Sequence, residues 1–90
     1  MVVERKLTIR HKQGLHARPA AMFVQIANKF ESNISVKKGS QEVNGKSIMG
    51  ILMLAAERGS EIYVRAEGID AQKAVEELEK LMAGDSDSKK

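Results

Sequence analysis

The spacing of apolar side chains changes its period several times along this 90-residue chain, and each change marks a new element. Alternation with a period of two is typical of a half-buried strand, and recurrence every three or four residues is typical of one helical face. The pattern predicts strands at about residues 3–10, 34–37, 41–43 and 62–66, and helices at about residues 17–30, 47–55 and 71–82.

The order of these elements, β-α-β-β-α-β-α, predicts the class of fold. Strands that alternate in polarity keep one face wet, so all the helices can cover the other face. We therefore expect a two-layer, open-faced α+β sandwich with one mostly antiparallel, four-stranded sheet. Asp70 is placed to cap the last helix and Gly84 to end it. The domain is predicted to span residues 1–84, and the polar residues 85–90 are expected to form a flexible tail.

The segment around His16 carries the candidate chemistry. Pro19 fits the first turn of a helix, so the helix should start near Ala17 with His16 at or next to its N-cap. The backbone N–H groups of Ala17 and Arg18, together with the helix dipole, would form an anion site, and the Arg18 guanidinium suits phosphate oxygens. An imidazole is partly neutral near pH 7 and nucleophilic. This predicts that His16 carries a phosphoryl group transiently. The other histidine, His11, lacks this context and is expected to be solvated.

The second predicted helix is short and has too many apolar side chains to bury them all. Ser47 is expected to be its N-cap. Some of Ile48, Met49 and Leu52 must then be exposed, and an apolar patch beside a basic rim favours a docking surface. Met49 is a good candidate for contacting several partners because its side chain is flexible and polarizable.

Charge is distributed unevenly along the chain. Residues 1–50 hold nine Lys and Arg against three Asp and Glu, whereas residues 51–90 hold six against nine. The half that contains His16 is therefore the basic half, which suits phosphate or acidic partners.

A nucleic-acid-binding module is the alternative from a different class, with a basic sheet face formed by Lys6, Arg10, Lys37 and Arg65. The chain has only three aromatic residues, which argues against a base-stacking platform and against nucleic acid as a partner.

Several classes of protein and site are disfavoured by composition. The chain has no cysteine, which excludes disulfides and thiolate metal sites and suits a cytoplasmic location. No apolar run approaches the roughly 18 residues that a membrane span needs, and the N-terminus lacks the apolar core of a signal peptide. We find no metal-ligand set and no paired carboxylates, so no metal or cofactor is predicted.

Two blocks of sequence resemble the signatures of a known family. Gly14-Leu15-His16-Ala17-Arg18-Pro19-Ala20 resembles the active-site motif of HPr, the histidine phosphocarriers of the bacterial phosphotransferase system. Asn44-Gly45-Lys46-Ser47-Ile48-Met49-Gly50-Ile51-Leu52 resembles the second signature of that family, at the expected distance. The likeness covers about Val3 to Met82. It implies the strand order 1-4-2-3 and attachment of the phosphoryl group to Nδ1 of His16.

The resemblance also implies a function and partners. The chain would accept a phosphoryl group from enzyme I and pass it to an enzyme IIA domain of a sugar transporter, as a monomeric carrier and not as an enzyme in its own right. The docking surface would combine the start of the first helix with the second helix, through Ala20, Ile48, Met49 and Leu52.

Two questions within the family stay open. In many relatives the serine that matches Ser47 is phosphorylated by a regulatory HPr kinase/phosphorylase, which makes Ser47 a candidate phosphoserine. Gly45 stands where sugar-branch members often carry a bulkier apolar residue. A nitrogen-branch, NPr-like carrier with a regulatory output is therefore the alternative within the family.

Overall fold

The computed structural model describes residues 1–83, so Gly84 and the predicted tail at 85–90 lie outside the described residues. The predicted order of elements is confirmed. It runs β1 (Val2–Thr8), α1 (Ala17–Ala27), β2 (Asn33–Lys38), β3 (Gln41–Asn44), α2 (Ile48–Met53), β4 (Glu61–Glu67) and α3 (Ala71–Met82).

The four strands form one antiparallel sheet in the order β1-β4-β2-β3, which confirms the expected order. The register places Tyr63 of β4 between Lys6 of β1 and Lys37 of β2. Burial alternates strictly along β4, where Ile62, Val64 and Ala66 are fully buried and the residues between them are exposed. The sheet therefore has one wet face and one face turned to the core.

The three helices cover the buried face of the sheet and form the second layer of the sandwich. Helix α3 lies against β1 and β4, α2 lies against β3, and α1 contacts both α2 and α3. Removing their apolar stripes from water is the main favourable term in the folding of such a small domain. The largest fully buried apolar side chains are those of Phe23, Ile9, Ile51, Leu54, Ile62, Leu78 and Met82.

Helix α1 ends at Ala27, three residues before the predicted end at Phe30. Asn28 is the C-cap, and its side-chain Nδ2 donates to the carbonyl of Val24 at 2.9 Å and to that of Lys46 at 3.4 Å. The Val24 carbonyl also accepts from the backbone N–H of Asn28 at 2.9 Å, so the side-chain amide is its second donor and links the end of α1 to Lys46. The apolar pattern continues to Phe30 because that side chain packs against the core from the turn that follows.

Strand β1 stops at Thr8, two residues before its predicted end, and α2 is shorter than predicted at both ends. Beyond Thr8 the chain still pairs with the approach to β4, because Ile9 N–H donates to Ser60 O and Gly59 N–H donates to Ile9 O, both at 2.8 Å. Helix α2 ends where Ala55 adopts a left-handed conformation with φ +50°.

Asp70 occupies the N-cap position of α3, but its side chain does not cap that helix. The carboxylate instead accepts from the backbone N–H of Glu31 at 2.9 Å, from the N–H of Ser32 at 3.0 Å and from the Ser32 hydroxyl. These donors, led by the Ser32 hydroxyl, hold the pKa of the Asp70 carboxyl below its ordinary value. Asp70 therefore does not cap α3 as expected, and its carboxylate instead links the α1–β2 connection to the start of α3.

Candidate functional site

His16 is the N-cap of α1, as predicted, and its backbone is extended with φ −100° and ψ −162°. Its carbonyl accepts the first helical hydrogen bond, from Ala20 N–H at 2.8 Å. The imidazole makes no capping hydrogen bond, and the residue is exposed. The ring is thus accessible to a large molecule from outside.

The first turn of α1 presents two backbone donors beside that ring. Ala17 and Arg18 are the first two helical residues, and no atom within residues 1–83 accepts from their N–H groups. Pro19, the third helical residue, has no N–H to satisfy. Unpaired donors at the positive end of a helix dipole favour an anion.

A shallow depression brings together the three residues predicted for the site and adds two more. It is lined by His16, Ala17 and Arg18 together with Lys12 and Gln13. Lys12 therefore supplies a second cation at this surface. Sequence reasoning missed it because Lys12 lies in the loop before the helix, where no periodic pattern indicates the direction of a side chain.

The loop before His16 is held by backbone hydrogen bonds. Leu15 N–H donates to the carbonyl of Ala56 at 2.8 Å, and Gly14 N–H donates to that of His11 at 3.0 Å. Gly14 has φ +80°, and a Cβ there would lie 2.6 Å from the Ala56 carbonyl oxygen. Only glycine fits this turn without strain, since the turn needs both a positive φ and close backbone approach.

The expectation that His11 is solvated is wrong. Only 2% of the residue is exposed. His11 lies in the connection between β1 and α1, where its carbonyl accepts from Gly14 N–H at 3.0 Å. A single histidine in a polar loop gives no local signal of such burial.

Helix α2 lies beside the site, as the resemblance implied. A second depression is lined by His16 and Ala17 on one side and by Leu52, Ala55 and Ala56 on the other. The apolar side chains of α2 divide into two sets: Ile51 and Leu54 are buried, whereas Ile48 (38%), Met49 (66%), Leu52 (38%) and Met53 (63%) are exposed. The prediction that some of these side chains must be exposed is confirmed. Those four exposed side chains are called the α2 patch below.

Ala20 cannot take part in a docking surface, so that prediction is wrong. Its exposed fraction is 0%, because it lies on the side of α1 that faces the core, next to Phe23 and Ala27 in the helical repeat. Ala17, one turn earlier, is exposed and lines both depressions around His16.

Ser47 is the N-cap of α2, as predicted, and its Oγ accepts from Gly50 N–H at 3.0 Å. Gly50 itself allows close packing, since a Cβ there would lie 3.2 Å from Val43 Cβ and 3.3 Å from Asn44 O. The serine hydroxyl therefore stabilises the first turn of the helix that carries the α2 patch.

The sheet face considered for nucleic acid carries mixed charge. Its cations Lys6, Lys37 and Arg65 are interleaved with four carboxylates, those of Glu4, Glu42, Glu61 and Glu67. Lys6 pairs with Glu61 at 3.8 Å and Arg65 with Glu67 at 3.6 Å. Arg10 lies beyond the end of β1. This face lacks the uniform positive charge that binds a phosphate backbone.

Residues 1–83 contain neither a cluster of metal-ligating side chains nor a membrane-spanning helix. No group of three or more His, Cys, Asp or Glu side chains in this part of the chain could hold a metal ion. None of the helices described there is long and apolar enough to cross a bilayer.

Comparison with known proteins decides the family. The protein-family model described as "PTS HPr component phosphorylation site" matches residues 3–84 of this chain. The chain belongs to the HPr family. Members of this family are phosphocarriers of the phosphotransferase system.

Relatives in this family carry two kinds of name. Phosphocarrier protein HPr of Xylella fastidiosa is 45% identical over 80 residues, covering 89% of this chain and 90% of that protein. The HPr-like protein Crh of Bacillus subtilis is 48% identical over 77 residues, covering 86% and 91% respectively.

Solved HPr structures share the fold. HPr of Bacillus anthracis superposes with a TM-score of 0.87 at 46% identity, covering 90% of this chain and 96% of that one. The crystal structure of Bacillus subtilis Crh, a dimer with a swapped domain, gives a TM-score of 0.73 at 46% identity, covering 90% and 93%.

Proposed function

We propose that this HPr-family chain accepts a phosphoryl group on His16 from enzyme I and passes it to an enzyme IIA domain in the sugar branch of the cytoplasmic phosphotransferase system. The observation that carries the proposal is the exposed imidazole of His16 beside the unpaired N–H groups of Ala17 and Arg18. A nucleophile and an anion site meet there on one open surface.

The chemistry needs little from the chain beyond alignment and charge. With its proton on Nε2, the neutral ring offers the lone pair of Nδ1 to phosphorus, and the bond from phosphorus to the donor breaks as the new P–N bond forms. Negative charge on the phosphoryl oxygens is stabilised by the two N–H groups and by the Arg18 guanidinium. In-line displacement at phosphorus depends mainly on such positioning and electrostatics.

The openness of the site suits a carrier. Because His16 lies on the surface between two shallow depressions, a donor and an acceptor can each reach it in turn. A deep pocket would hold the phosphoryl group and exclude the second protein. The chain is consumed and regenerated in each cycle, so we regard it as a carrier and not as an enzyme.

Docking is proposed to use the α2 patch, in particular Ile48, Met49 and Leu52. These side chains are exposed and apolar, and the patch adjoins the depression that contains His16. Lys12 and Arg18 supply a cationic rim on the other side of the ring. An apolar centre with a charged rim is the usual organisation of a protein interface.

Ser47 is proposed as a regulatory phosphorylation site for an HPr kinase/phosphorylase. Its hydroxyl lies at the start of α2, directly before the α2 patch. A phosphate would bring about −1.5 to −2 charges at pH 7 to this surface. That charge would oppose the docking of an acidic partner, which the cationic rim otherwise favours.

The decisive experiment is labelling with enzyme I and radioactive phosphoenolpyruvate. We expect the wild-type chain to take up one acid-labile phosphate and His16→Ala to take up none. Far-UV circular dichroism should be unchanged, because the ring makes no capping hydrogen bond. Label retained on the His16→Ala chain would show that the site is wrong.

The branch is tested by transfer from the labelled chain to sugar-type and nitrogen-type acceptors. We expect faster transfer to the sugar-type acceptor. Gly45 has a packing role of its own that does not depend on the branch, since a Cβ there would lie 2.6 Å from Ile34 Cγ2 and 3.1 Å from Ile34 O, and a bulkier residue would need Ile34 to shift. Faster transfer to the nitrogen-type acceptor would contradict the sugar branch.

We propose that the working form is a monomer, because the imidazole, the two unpaired backbone donors and the two cations of the site all lie within residues 12–18. Solved relatives include an HPr dimer from Thermoanaerobacter tengcongensis and the dimer of Crh. Light scattering of the phosphorylated and unphosphorylated chains tests the proposal, and transfer activity confined to a dimer fraction would contradict it.

A further inference from the structure

Two methionines lie one turn apart on the outer side of α2. Met49 is 66% exposed and Met53 is 63% exposed, and their spacing of four residues places them side by side on the helix surface. The other methionines differ: Met82 is 1% exposed and Met22 is partly buried. Met1, at 72%, is also exposed, but it lies at the end of β1 opposite to the His16 loop.

We propose that Met49 and Met53 form an oxidation site that weakens docking of the partner proteins, an inference that rests on the proposed carrier function. The oxidant is a hydroperoxide, with hydrogen peroxide the simplest case. An S–O bond forms at the thioether sulfur and the O–O bond of the peroxide breaks. The sulfur loses two electrons, the peroxide is reduced, and water leaves.

The two sulfurs lie on the outer side of α2, so their oxidation should affect the docking of partners and not the folding of the chain. The buried side of α2 is formed by Ile51 and Leu54, both at most 1% exposed, and Ser47 Oγ caps the first turn. Oxidation of Met49 and Met53 leaves these contacts in place, since both side chains are already largely in water. The fold should therefore tolerate the sulfoxides.

The surface that partners would bury changes strongly. A thioether is apolar and flexible, whereas a sulfoxide carries a polar oxygen that must lose water when a partner covers it. Two such oxygens would stand within the four-residue α2 patch. Because an interface formed for an apolar patch offers them no donors, we expect oxidation to slow transfer from enzyme I at least about fivefold.

The experiment treats the full chain with hydrogen peroxide and follows both modification and transfer. Peptide mass spectrometry should show sulfoxide at Met1, Met49 and Met53 well before Met82. The second-order rate constant of transfer from phosphorylated enzyme I should fall in step with oxidation of Met49 and Met53. Treatment with methionine sulfoxide reductase and a thiol should restore it. Circular dichroism and the urea midpoint should not change.

A matched variant isolates the site. The M49L/M53L chain has no thioether in the α2 patch and keeps Met1 as an exposed target, so peroxide should leave its rate of transfer equal to that of the same variant without peroxide. The M49Q/M53Q chain places polar groups at both positions and should transfer slowly without any oxidant.

The outcomes are distinguishable. Transfer at the untreated rate by chains fully oxidised at Met49 and Met53 would overturn this inference and leave the carrier function intact. Equal loss of activity in the treated M49L/M53L chain would also overturn it. An untreated wild-type chain that accepts no phosphoryl group would overturn the carrier function, and this inference with it.

Discussion

The backbone N–H of Leu15 donates to the carbonyl oxygen of Ala56 across 2.8 Å. This bond joins the loop before His16 to the connection between α2 and β4. Two further bonds, between Ile9 and the chain at Gly59 and Ser60, continue the pairing toward the sheet. The position of His16 is thus set by a segment some forty residues later in the chain, and that segment is the exit of the helix that carries the α2 patch.

The first prediction concerns Gly14, which lets this approach occur. Gly14→Ala should destabilise the fold more than Gly39→Ala, because both glycines have positive φ but only Gly14 faces a neighbour. A Cβ at Gly14 would lie 2.6 Å from Ala56 O, whereas nothing lies within 4 Å of one at Gly39. We expect about 1 kcal/mol for the conformational cost at either site and about 1–3 kcal/mol more for overpacking at Gly14.

Urea unfolding of both variants measures the difference. The Gly14→Ala chain should also accept phosphate more slowly from enzyme I, since its His16 loop must shift, while Gly39→Ala should transfer at the wild-type rate. Equal losses of stability in the two variants would contradict the close approach of Gly14 to the Ala56 carbonyl.

The elements could be predicted from sequence because each depends on near neighbours. Period-two alternation marks Ile62, Val64 and Ala66, and the 3.6-residue period marks the buried stripe of α3; both patterns correspond to burial in the structure. The ends of elements were less predictable. Helix α1 ends at Ala27 with Asn28 as its C-cap, and the Asn28 side-chain amide donates to the carbonyl of Val24. The apolar period nevertheless continues to Phe30, which packs against the core.

The predictions that the structure contradicts, for Asp70, His11 and Ala20, were wrong for different reasons. Asp70 stands where a capping residue is expected, yet its carboxylate binds donors at Glu31 and Ser32, nearly forty residues earlier. His11 is buried, although the polar residues next to it in sequence, Arg10, Lys12 and Gln13, indicate an exposed loop. Ala20 belongs to a recognisable motif, but the helical repeat of α1 turns it to the core.

The candidate site was largely predictable because its parts are adjacent in sequence. Pro19 predicted where α1 begins, and that start places the N–H groups of Ala17 and Arg18 beside His16. The contribution of Lys12 could not be predicted, since the direction of a loop side chain follows from the folded backbone alone.

The second prediction concerns acid stability and Asp70. The Ser32 hydroxyl and the backbone N–H groups of Glu31 and Ser32 lower the pKa of this carboxyl in the folded chain relative to its ordinary value of 3.8. The stabilising contribution is therefore fully present above that ordinary value and is lost as the pH falls through the lowered folded pKa. Asp70→Asn should remove it.

Urea midpoints measured from pH 7 down to pH 2.5 test this. The wild-type chain should lose more stability on acidification than Asp70→Asn, so the two curves should converge at low pH. Glu42→Gln is the control, since it removes an exposed carboxylate that accepts no side-chain hydrogen bond within residues 1–83. Parallel wild-type and Asp70→Asn curves would contradict the assignment.

The third prediction separates the two roles of Ser47. Ser47→Ala removes the acceptor for Gly50 N–H and should cost about 1 kcal/mol in the free energy of unfolding. Ser47→Asp keeps a capping oxygen, so its stability should stay close to that of the wild type. It also places a negative charge beside the α2 patch, so transfer from enzyme I should slow.

The urea midpoint and the transfer rate of both variants distinguish the loss of the N-cap hydrogen bond from the effect of a negative charge beside the α2 patch. Ser47→Ala should change the midpoint and leave transfer near normal, and Ser47→Asp should do the reverse. Unchanged transfer by Ser47→Asp would count against regulation through this serine.

The fourth prediction concerns Arg18, which should matter for transfer and hardly at all for folding. The side chain is exposed and makes no ion pair within the described part of the chain, so Arg18→Ala should leave the urea midpoint unchanged. Losing a charge-assisted contact to the phosphoryl oxygens should slow transfer about ten- to a hundredfold. Arg18→Lys should recover part of the rate, because an ammonium keeps the charge but lacks the planar, two-point geometry of guanidinium.

Rapid-quench measurement of phosphohistidine formation tests the role of Arg18. The control is Lys73→Ala, which removes an exposed cation from α3 and should transfer at the wild-type rate. Equal slowing by Lys73→Ala would mean that net charge, and not the position of Arg18 beside His16, governs the rate.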